Sequence, residues 1–173
     1  MGVKHLKELV GYQLAQAFKR EVYRLIDTSE GASRDFKFKD QLRDSASGIA
    51  RNIAEGFRRF GAAEVAHFVN IALGSLAESK VNLIDGIDRR YFTKAACAHA
   101  FHLAKRCDKA TKNFHASLQP FIKARRQHQR RQPRSKTELG SMAEHPANPA
   151  DPADLEDPED LANLEDLANL EDL

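Results

Sequence analysis

The feature that most constrains the fold is a repeated spacing of apolar residues at steps of three and four, the spacing that one buried helix face requires. The first such segment runs from about Val3 to Asp27, the second from about Asp35 to Phe60, and the third from Ala62 to about Arg90. The fourth follows Thr93. The connections are short, and no segment alternates as a strand would. The pattern predicts an all-α, up-down-up-down four-helix bundle with consecutive helices antiparallel.

Local signals set the predicted ends of these helices. The stretch Thr28–Ser33 is predicted as a loop because it is rich in turn-forming residues. Thr93 is a good N-cap, since its hydroxyl can accept a hydrogen bond from a first-turn N–H group. Pro120 removes one helical hydrogen bond and clashes with the preceding turn. We therefore expect the fourth helix to kink or stop there, with residues 121–131 projecting past the bundle.

Small residues are concentrated in the second and third helices. Glycine inside a helix is unfavourable unless a neighbour gains from the missing side chain. We therefore expect close packing between these two helices, or between subunits. The residues concerned are Ala46, Gly48, Ala50, Ala54, Gly56, Ala72, Gly74 and Ala77. Gly11 in the first helix is predicted to be a local weakness that costs about 1 kcal/mol relative to alanine.

The net charge of +2 conceals a strong asymmetry along the chain. Residues 1–136 contain all 27 Lys and Arg and 13 of the acids, a formal charge of +14. Residues 137–173 contain the other 12 acids and no Lys or Arg. We predict a bundle in residues 1–122, a basic helical arm in 123–136, and a disordered, acidic, low-complexity tail in 137–173.

Several classes of protein are disfavoured by composition. No apolar run approaches the length of a membrane span, and the first residues lack a secretory signal, so we expect a cytoplasmic protein. Cys97, His99 and His102 lie close in sequence but do not supply the convergent ligands of a zinc site. No nucleophile triad, phosphate loop or paired carboxylate is visible. We expect no metal, no cofactor and no enzymatic activity.

Nucleic acid is the partner that the charge favours. In an up-down bundle, the start of the first helix shares one pole with the ends of the second and fourth. A cluster of nine cations at that pole suits a phosphate backbone, although two of them also stabilise a helix C-terminus. The cluster is Lys4, Lys7, Arg58, Arg59, Lys123, Arg125, Arg126, Arg130 and Arg131. No base-reading motif is visible, so binding should depend steeply on salt.

The run Gln41–Arg58, with Asn-Ile-Ala-Glu-Gly at 52–56, resembles the 23S rRNA intervening-sequence proteins, also called the four-helix-bundle protein family. Glu64, Phe68 and the later Gly-Ser-Leu-Ala-Glu at 74–78 strengthen this resemblance, which covers about residues 6–120. It implies a left-handed bundle that associates into a ring, commonly a pentamer. Relatives among the accessory proteins of diversity-generating retroelements imply a nucleic acid and a reverse transcriptase as partners.

The polar and small residues of the family motif have two possible roles, a contact with a ligand or another subunit, or a structural network within the bundle. Glu55 could pair with Arg51 or Arg59 at helical spacing, which favours the structural role. The motif residues are Asn52, Glu55, Gly56, Gly74, Ser75 and Glu78.

Two functions stay open at this point. One is a homo-oligomeric module that binds RNA or DNA through its basic surface. The other is a scaffolding ring without a nucleic-acid role. The acidic tail could cover the basic pole as a nucleic-acid mimic, or have no role. In the first case, a chain that ends near Lys136 should bind nucleic acid more tightly than the full chain.

Overall fold

The computed structural model describes residues 5–131, the last three as backbone only, and over this range it is helical with no strand. A single 3-10 turn, Leu6–Glu8, precedes the α-helices. The α-helices are α1 (Val10–Thr28), α2 (Glu30–Arg34), α3 (Phe36–Phe57), α4 (Ala62–Asp88) and α5 (Lys94–Arg131). Four of the five are long, so the predicted all-α, four-helix architecture is confirmed.

The four long helices pack as a bundle in which α1 and α4 each contact both α3 and α5. The α3–α4 and α4–α5 turns are four and five residues long, which forces consecutive helices to run antiparallel. The first turn of α1, the α3–α4 turn and the last turns of α5 therefore lie towards one end, which we call the α3–α4 pole. The largest fully buried aliphatic and aromatic side chains form the core: Phe18, Val22, Leu25, Ile26, Leu42, Ile49, Ile53, Val69, Leu76 and Leu83.

Glycines allow α3 and α4 to approach closely, as predicted. A Cβ atom added at Gly48 would lie 3.1 Å from Ser75 Oγ, and one at Gly56 would lie 2.9 Å from Phe68 Cβ. Gly74 differs, because no atom lies within 4 Å of its Cβ position. Gly48 and Gly56 are therefore packing residues, whereas Gly74 faces open space in the single chain.

Gly11 is also a packing residue, a role that the sequence did not predict. It is buried, and a Cβ atom there would lie 3.1 Å from Thr111 Oγ1 on α5. The Cys107 thiol donates a hydrogen bond of 3.7 Å to the Gly11 carbonyl oxygen. The glycine thus allows the first turn of α1 to pack directly against α5.

The first helix begins later than predicted. Leu9 has extended backbone angles, φ −73° and ψ 114°, and separates the Leu6–Glu8 turn from α1. Leu9 is buried, and Leu6 packs against the same core. The Gln13 side-chain amide donates to the Lys7 carbonyl oxygen at 2.7 Å and stabilises this entry into the helix. Leu6 and Leu9 therefore reach the core from an irregular segment, and not from the continuous helix that was predicted to begin at about Val3.

The predicted loop at Thr28–Ser33 contains most of the short helix α2. Ser29 caps this helix, because its hydroxyl oxygen accepts a hydrogen bond from the Ala32 N–H group at 3.2 Å. The same hydroxyl donates to the Tyr91 carbonyl oxygen at 2.8 Å. Ala32 is buried, so the connection packs against the bundle.

Helix α5 does not stop at Pro120, so that part of the prediction is wrong. The helix runs through the proline to Arg131. Pro120 is exposed, where the loss of one backbone hydrogen bond is compensated by water, and helix-forming residues such as Lys123 and Ala124 follow. The predicted boundary between bundle and arm, at residues 122 and 123, falls inside this helix. The division into three segments stays a prediction, and residues 137–173 lie outside the described part of the chain.

Candidate nucleic-acid interface

Helix α5 carries positive charge along most of its exposed side. It contains ten Lys and Arg residues and one acid, Asp108. Helical spacing places Lys105, Lys109 and Lys112 on one face. With a rise of 1.5 Å per residue, Lys105 and Lys123 are about 27 Å apart along the helix. We call the exposed cations of this helix the α5 basic surface: Lys94, Lys105, Arg106, Lys109, Lys112, Lys123, Arg125 and Arg126.

Within the described residues, acidic side chains neutralise little of the α5 basic surface. Lys112 pairs with Asp108 at 3.0 Å, and no other residue of the α5 basic surface has an ion pair there. Elsewhere in the bundle, cations commonly have partners, such as Arg24 with Glu21 at 2.6 Å and Arg43 with Asp27 at 2.6 Å. The positive field of the bundle is therefore strongest along α5.

The structure brings together part of the predicted cationic pole. Arg125 reaches the α3–α4 turn, where its Nη1 atom lies 3.2 Å from the Cβ position of Gly61. Arg58 ends α3 beside that turn and is exposed, as is Lys7 in the 3-10 turn. Arg59 is already engaged, because it pairs with Glu55 and lies over the Phe68 ring at 5.0 Å from the centroid.

The remaining residues of that predicted pole divide into two groups. Lys123 and Arg126 are exposed on α5. Lys4 and the side chains of Arg130 and Arg131 lie outside what the structure describes.

Five of the eight residues of the α5 basic surface were absent from the predicted pole, namely Lys94, Lys105, Arg106, Lys109 and Lys112. These residues lie along the side of the helix, whereas the predicted pole contains only residues at helix ends. The ratio of ten cations to one acid within the fourth helical segment is the signal that would have found them.

The family-motif residues on α3 form local contacts within the bundle. The Asn52 side-chain amide donates to the Gly48 carbonyl oxygen at 2.9 Å. Glu55 pairs with Arg59, one of its two predicted partners, whereas Arg51 lies 3.4 Å from Asp44. These local contacts agree with the structural role of the motif residues on α3.

The motif residues on α4 lie at or near its exposed side. Ser75 packs against Gly48, and its hydroxyl donates to the Ile71 carbonyl oxygen at 3.1 Å. Gly74 and Glu78 are exposed. They belong to a surface without Lys or Arg, which we call the α4 outer face: Ala63, Glu64, His67, Asn70, Ile71, Gly74, Ala77, Glu78, Val81 and Asp88.

The histidines and cysteines of α5 do not converge. Cys97 is buried, whereas His99 and His102 are exposed, and His99 Nδ1 lies 3.8 Å from a Glu21 carboxylate oxygen. Within residues 5–131, no group of three or more His, Cys, Asp or Glu residues is placed to hold a metal ion. Burial raises the pKa of the Cys97 thiol to about 11, and it raises that of Cys107 to about 11 as well. Both thiols are therefore protonated at neutral pH.

The fold and its surfaces define a class, a four-helix-bundle protein with one strongly basic outer helix and, beside it, a helix whose single Lys or Arg, Lys80, is half-buried. A sequence profile of the 23S rRNA-intervening sequence proteins matches residues 7–115, which is more than half of the chain. The chain belongs to this family.

A crystal structure of a protein of unknown function from the S23 ribosomal protein family of Bacteroides thetaiotaomicron has a similar fold. The TM-score is 0.57 and the sequence identity 20%, over 61% of this chain and 98% of that one. No curated protein matches the chain. None of the helices in the described range is long and apolar enough to span a bilayer.

Proposed function

We propose that this chain is a non-enzymatic, cytoplasmic, homo-oligomeric protein that binds RNA or DNA through the α5 basic surface. The observation that supports it is the concentration of eight exposed cations on one helix that contains a single acid. Surface charge needed only for solubility is normally of mixed sign, whereas a continuous basic side fits a polyanion.

The arrangement fits a phosphate backbone better than base edges. Lys105, Lys109 and Lys112 are separated along the helix by about 4.5 to 6 Å. Each exposed lysine that neutralises a phosphate releases a counterion, which makes affinity fall steeply with salt. A surface of lysine and arginine without a base-reading motif therefore predicts binding that depends little on sequence.

The test is an anisotropy titration of the full chain with structured RNA and duplex DNA over a salt series. We expect the double substitution Lys105→Ala and Lys109→Ala to reduce the slope of log affinity against log salt on duplex DNA by about 2. The matched control is Arg34→Ala with Lys37→Ala, two exposed cations outside α5, which should leave the slope unchanged. Absence of binding at low salt, or an unchanged slope for the α5 variant, would contradict the proposal.

The α4 outer face supports the homo-oligomeric part of the proposal. It combines the exposed apolar residues Ile71 and Val81 with the open Cβ position of Gly74. A helix face with small residues and without Lys or Arg can approach a second copy closely at a small cost of desolvation. A ring, with the pentamer favoured by the family resemblance, would repeat the α5 basic surface around the assembly. A reverse transcriptase is the further partner that this resemblance favours.

Substitution of a matched pair of valines tests the oligomer. Val81 on α4 is 58% exposed, and Val10 on α1 is 55% exposed. We expect Val81→Arg to reduce the mass measured by light scattering, while Val10→Arg leaves it unchanged. Equal masses for wild type and Val81→Arg would exclude the α4 outer face as the contact between copies.

The second candidate function is a scaffolding ring that binds proteins and no nucleic acid. The α4 outer face favours it, because self-association through this face does not require the basic helix. An oligomer that fails to bind RNA and DNA at low salt would support the scaffold.

A further inference from the structure

The α3–α4 pole is open because α5 extends beyond α1. Gly11, the second residue of α1, packs against Thr111 on α5. From Thr111, α5 continues for another 20 residues to Arg131, about 30 Å along its axis. Among the described residues, those before α1 are His5, the 3-10 turn and Leu9. The last turns of α5 therefore have no fourth long helix beside them.

The inward side of α5 continues into this open end. Cys107, Thr111, Phe114, Leu118 and Phe121 follow one another at steps of three and four, so they lie on one side of the helix. The first two are buried, the next two are partly buried, and Phe121 is 65% exposed. The apolar stripe that packs the bundle thus becomes an exposed aromatic surface where α1 no longer covers it.

The α3–α4 turn brings a second aromatic ring to the same place. Phe60 is fully exposed in this turn, next to Gly61. Arg125 Nη1 lies 3.2 Å from the Cβ position of Gly61, and Phe121 lies one helical turn before Arg125 on the same side of α5. Phe60, Phe121 and Arg125 therefore belong to the same pole, and the exposed Arg58 lies two residues before Phe60.

We propose that Phe60 and Phe121 form a stacking platform for unpaired bases of a single-stranded nucleic acid. This inference rests on the proposed function and specifies its ligand. Aromatic rings stack on bases of any sequence, and a neighbouring basic groove holds the backbone, which is the usual arrangement in single-strand-binding proteins. The cations beside the two rings favour this ligand over an apolar protein segment, which would need none. One acid faces the turn from α4, namely Glu64, whose Cδ atom lies 3.8 Å from the Cβ position of Gly61.

Other cations lie on the same turns of α5 as the platform. Lys123 and Arg126 are exposed there, but helical spacing places Lys123 on the opposite side of the helix from Phe121 and Arg125. A strand whose bases stack at the pole must therefore pass around α5 to reach the lysines of the α5 basic surface. We expect single strands to gain affinity from the aromatic rings, whereas a duplex, with its bases already stacked, uses only the cations.

The first test uses tryptophan as a reporter, because the natural chain contains none. In full-length Phe60→Trp, we expect a short oligo(U) to quench the indole fluorescence at the concentrations that saturate anisotropy. The control is Phe36→Trp at the start of α3, since Phe36 is 71% exposed and also has a neighbouring cation, Lys39, at 4.4 Å. Binding without quenching in Phe60→Trp, or equal quenching in both variants, would overturn the platform.

The second test compares single-stranded and duplex ligands. Alanine at Phe60 or Phe121 should weaken oligo(U) binding about fivefold to a hundredfold and leave duplex affinity unchanged. Phe36→Ala should change neither affinity. An equal loss on both ligands, or no loss on oligo(U), would overturn the platform while the proposed function stands. If the wild type binds neither ligand at low salt, the proposed function itself fails.

Discussion

Single glycines in this bundle have opposite roles, depending on what lies opposite them. Gly56 faces Phe68 Cβ on α4, whereas Gly74 faces open space. In the sequence, both are glycines in helices rich in small residues. Their roles cannot be distinguished there, because the difference arises from the neighbouring helix. The contrast can be measured directly.

We expect Gly56→Ala to lower the free energy of unfolding by about 1–3 kcal/mol, because the added methyl group overpacks the α3–α4 contact. Gly74→Ala should instead raise it by about 0.5–1 kcal/mol, since alanine is the better helix former and has space there. Urea denaturation at low protein concentration measures both. Destabilisation of similar size by both substitutions would show that the environment of Gly74 is not open.

The two buried cysteines predict a loss of stability at alkaline pH. Burial raises the pKa of each thiol from 9.0 to about 11, so the folded chain retains two protons that the unfolded chain releases. Stability is therefore fully present below pH 9 and falls as the pH rises from about 9 to about 11. We expect replacement of Cys97 and Cys107 by alanine to reduce this slope relative to wild type in urea titrations. The same slope in both proteins would contradict the burial of the thiols.

At the scale of the helices, Asp35 joins the start of α3 to the α4–α5 turn through one carboxylate. It caps α3 by accepting the Phe38 N–H group at 3.1 Å, and it accepts the Tyr91 hydroxyl at 3.0 Å. Arg89, just after α4, lies 3.2 Å away. The hydrogen bond from Phe38, followed by that from Tyr91, lowers the pKa of Asp35.

Because this pKa is lowered on folding, the stabilisation is present above the ordinary value of 3.8 and is lost as the pH falls through the folded value. We expect Asp35→Asn, which retains a capping oxygen but not the charge, to be less stable than wild type at neutral pH. The difference should shrink below pH 3.8. Unfolding in urea at neutral and acidic pH measures it, and a difference that is independent of pH would exclude the charge as its cause.

The helices could be predicted from sequence to different degrees. The middle of every long helix follows from its apolar stripe, and the Thr93 cap is confirmed by the hydrogen bond of 3.1 Å from the Ala96 N–H group to its hydroxyl. The late start of α1 and the short α2 were missed, because Leu9 and Ala32 are fixed by tertiary burial. The predicted stop at Pro120 was a further error, since the exposed position of the proline allows α5 to continue through it, and the predicted kink stays a prediction.

The candidate site was less predictable than the fold for a related reason. The charge bias of the fourth segment is visible in the sequence, but the exposure of Lys105 and Lys109 depends on which side of α5 faces the core. Phe121 lies in the segment that the sequence predicted to project past the bundle, and it is exposed. Phe60 was predicted to end the second helix, whereas it lies exposed in the α3–α4 turn.

At the scale of the whole chain, the acidic tail should weaken binding to polyanions. Residues 137–173 carry 12 acids and no Lys or Arg, whereas residues 1–136 have a formal charge of +14. We expect a chain that ends at Lys136 to bind RNA more tightly than the full chain at low salt, with the difference disappearing as salt screens the charges. Anisotropy titration measures both. The control is a tail of equal length with Asn and Gln in place of its acids, which should behave as the truncated chain. Equal affinities for the truncated and full chains would contradict an inhibitory tail.

The position of α4 directly beside α5 in the bundle has a thermodynamic consequence. If copies associate through α4, the positive helices of neighbouring copies come nearer to one another, and their repulsion opposes assembly at low salt. A polyanion lying across these helices removes that cost. By reciprocity, the assembled form must then hold the polyanion more tightly than the separate chains do, by the same factor. Nucleic acid would in this way act as an effector of quaternary structure as well as a ligand.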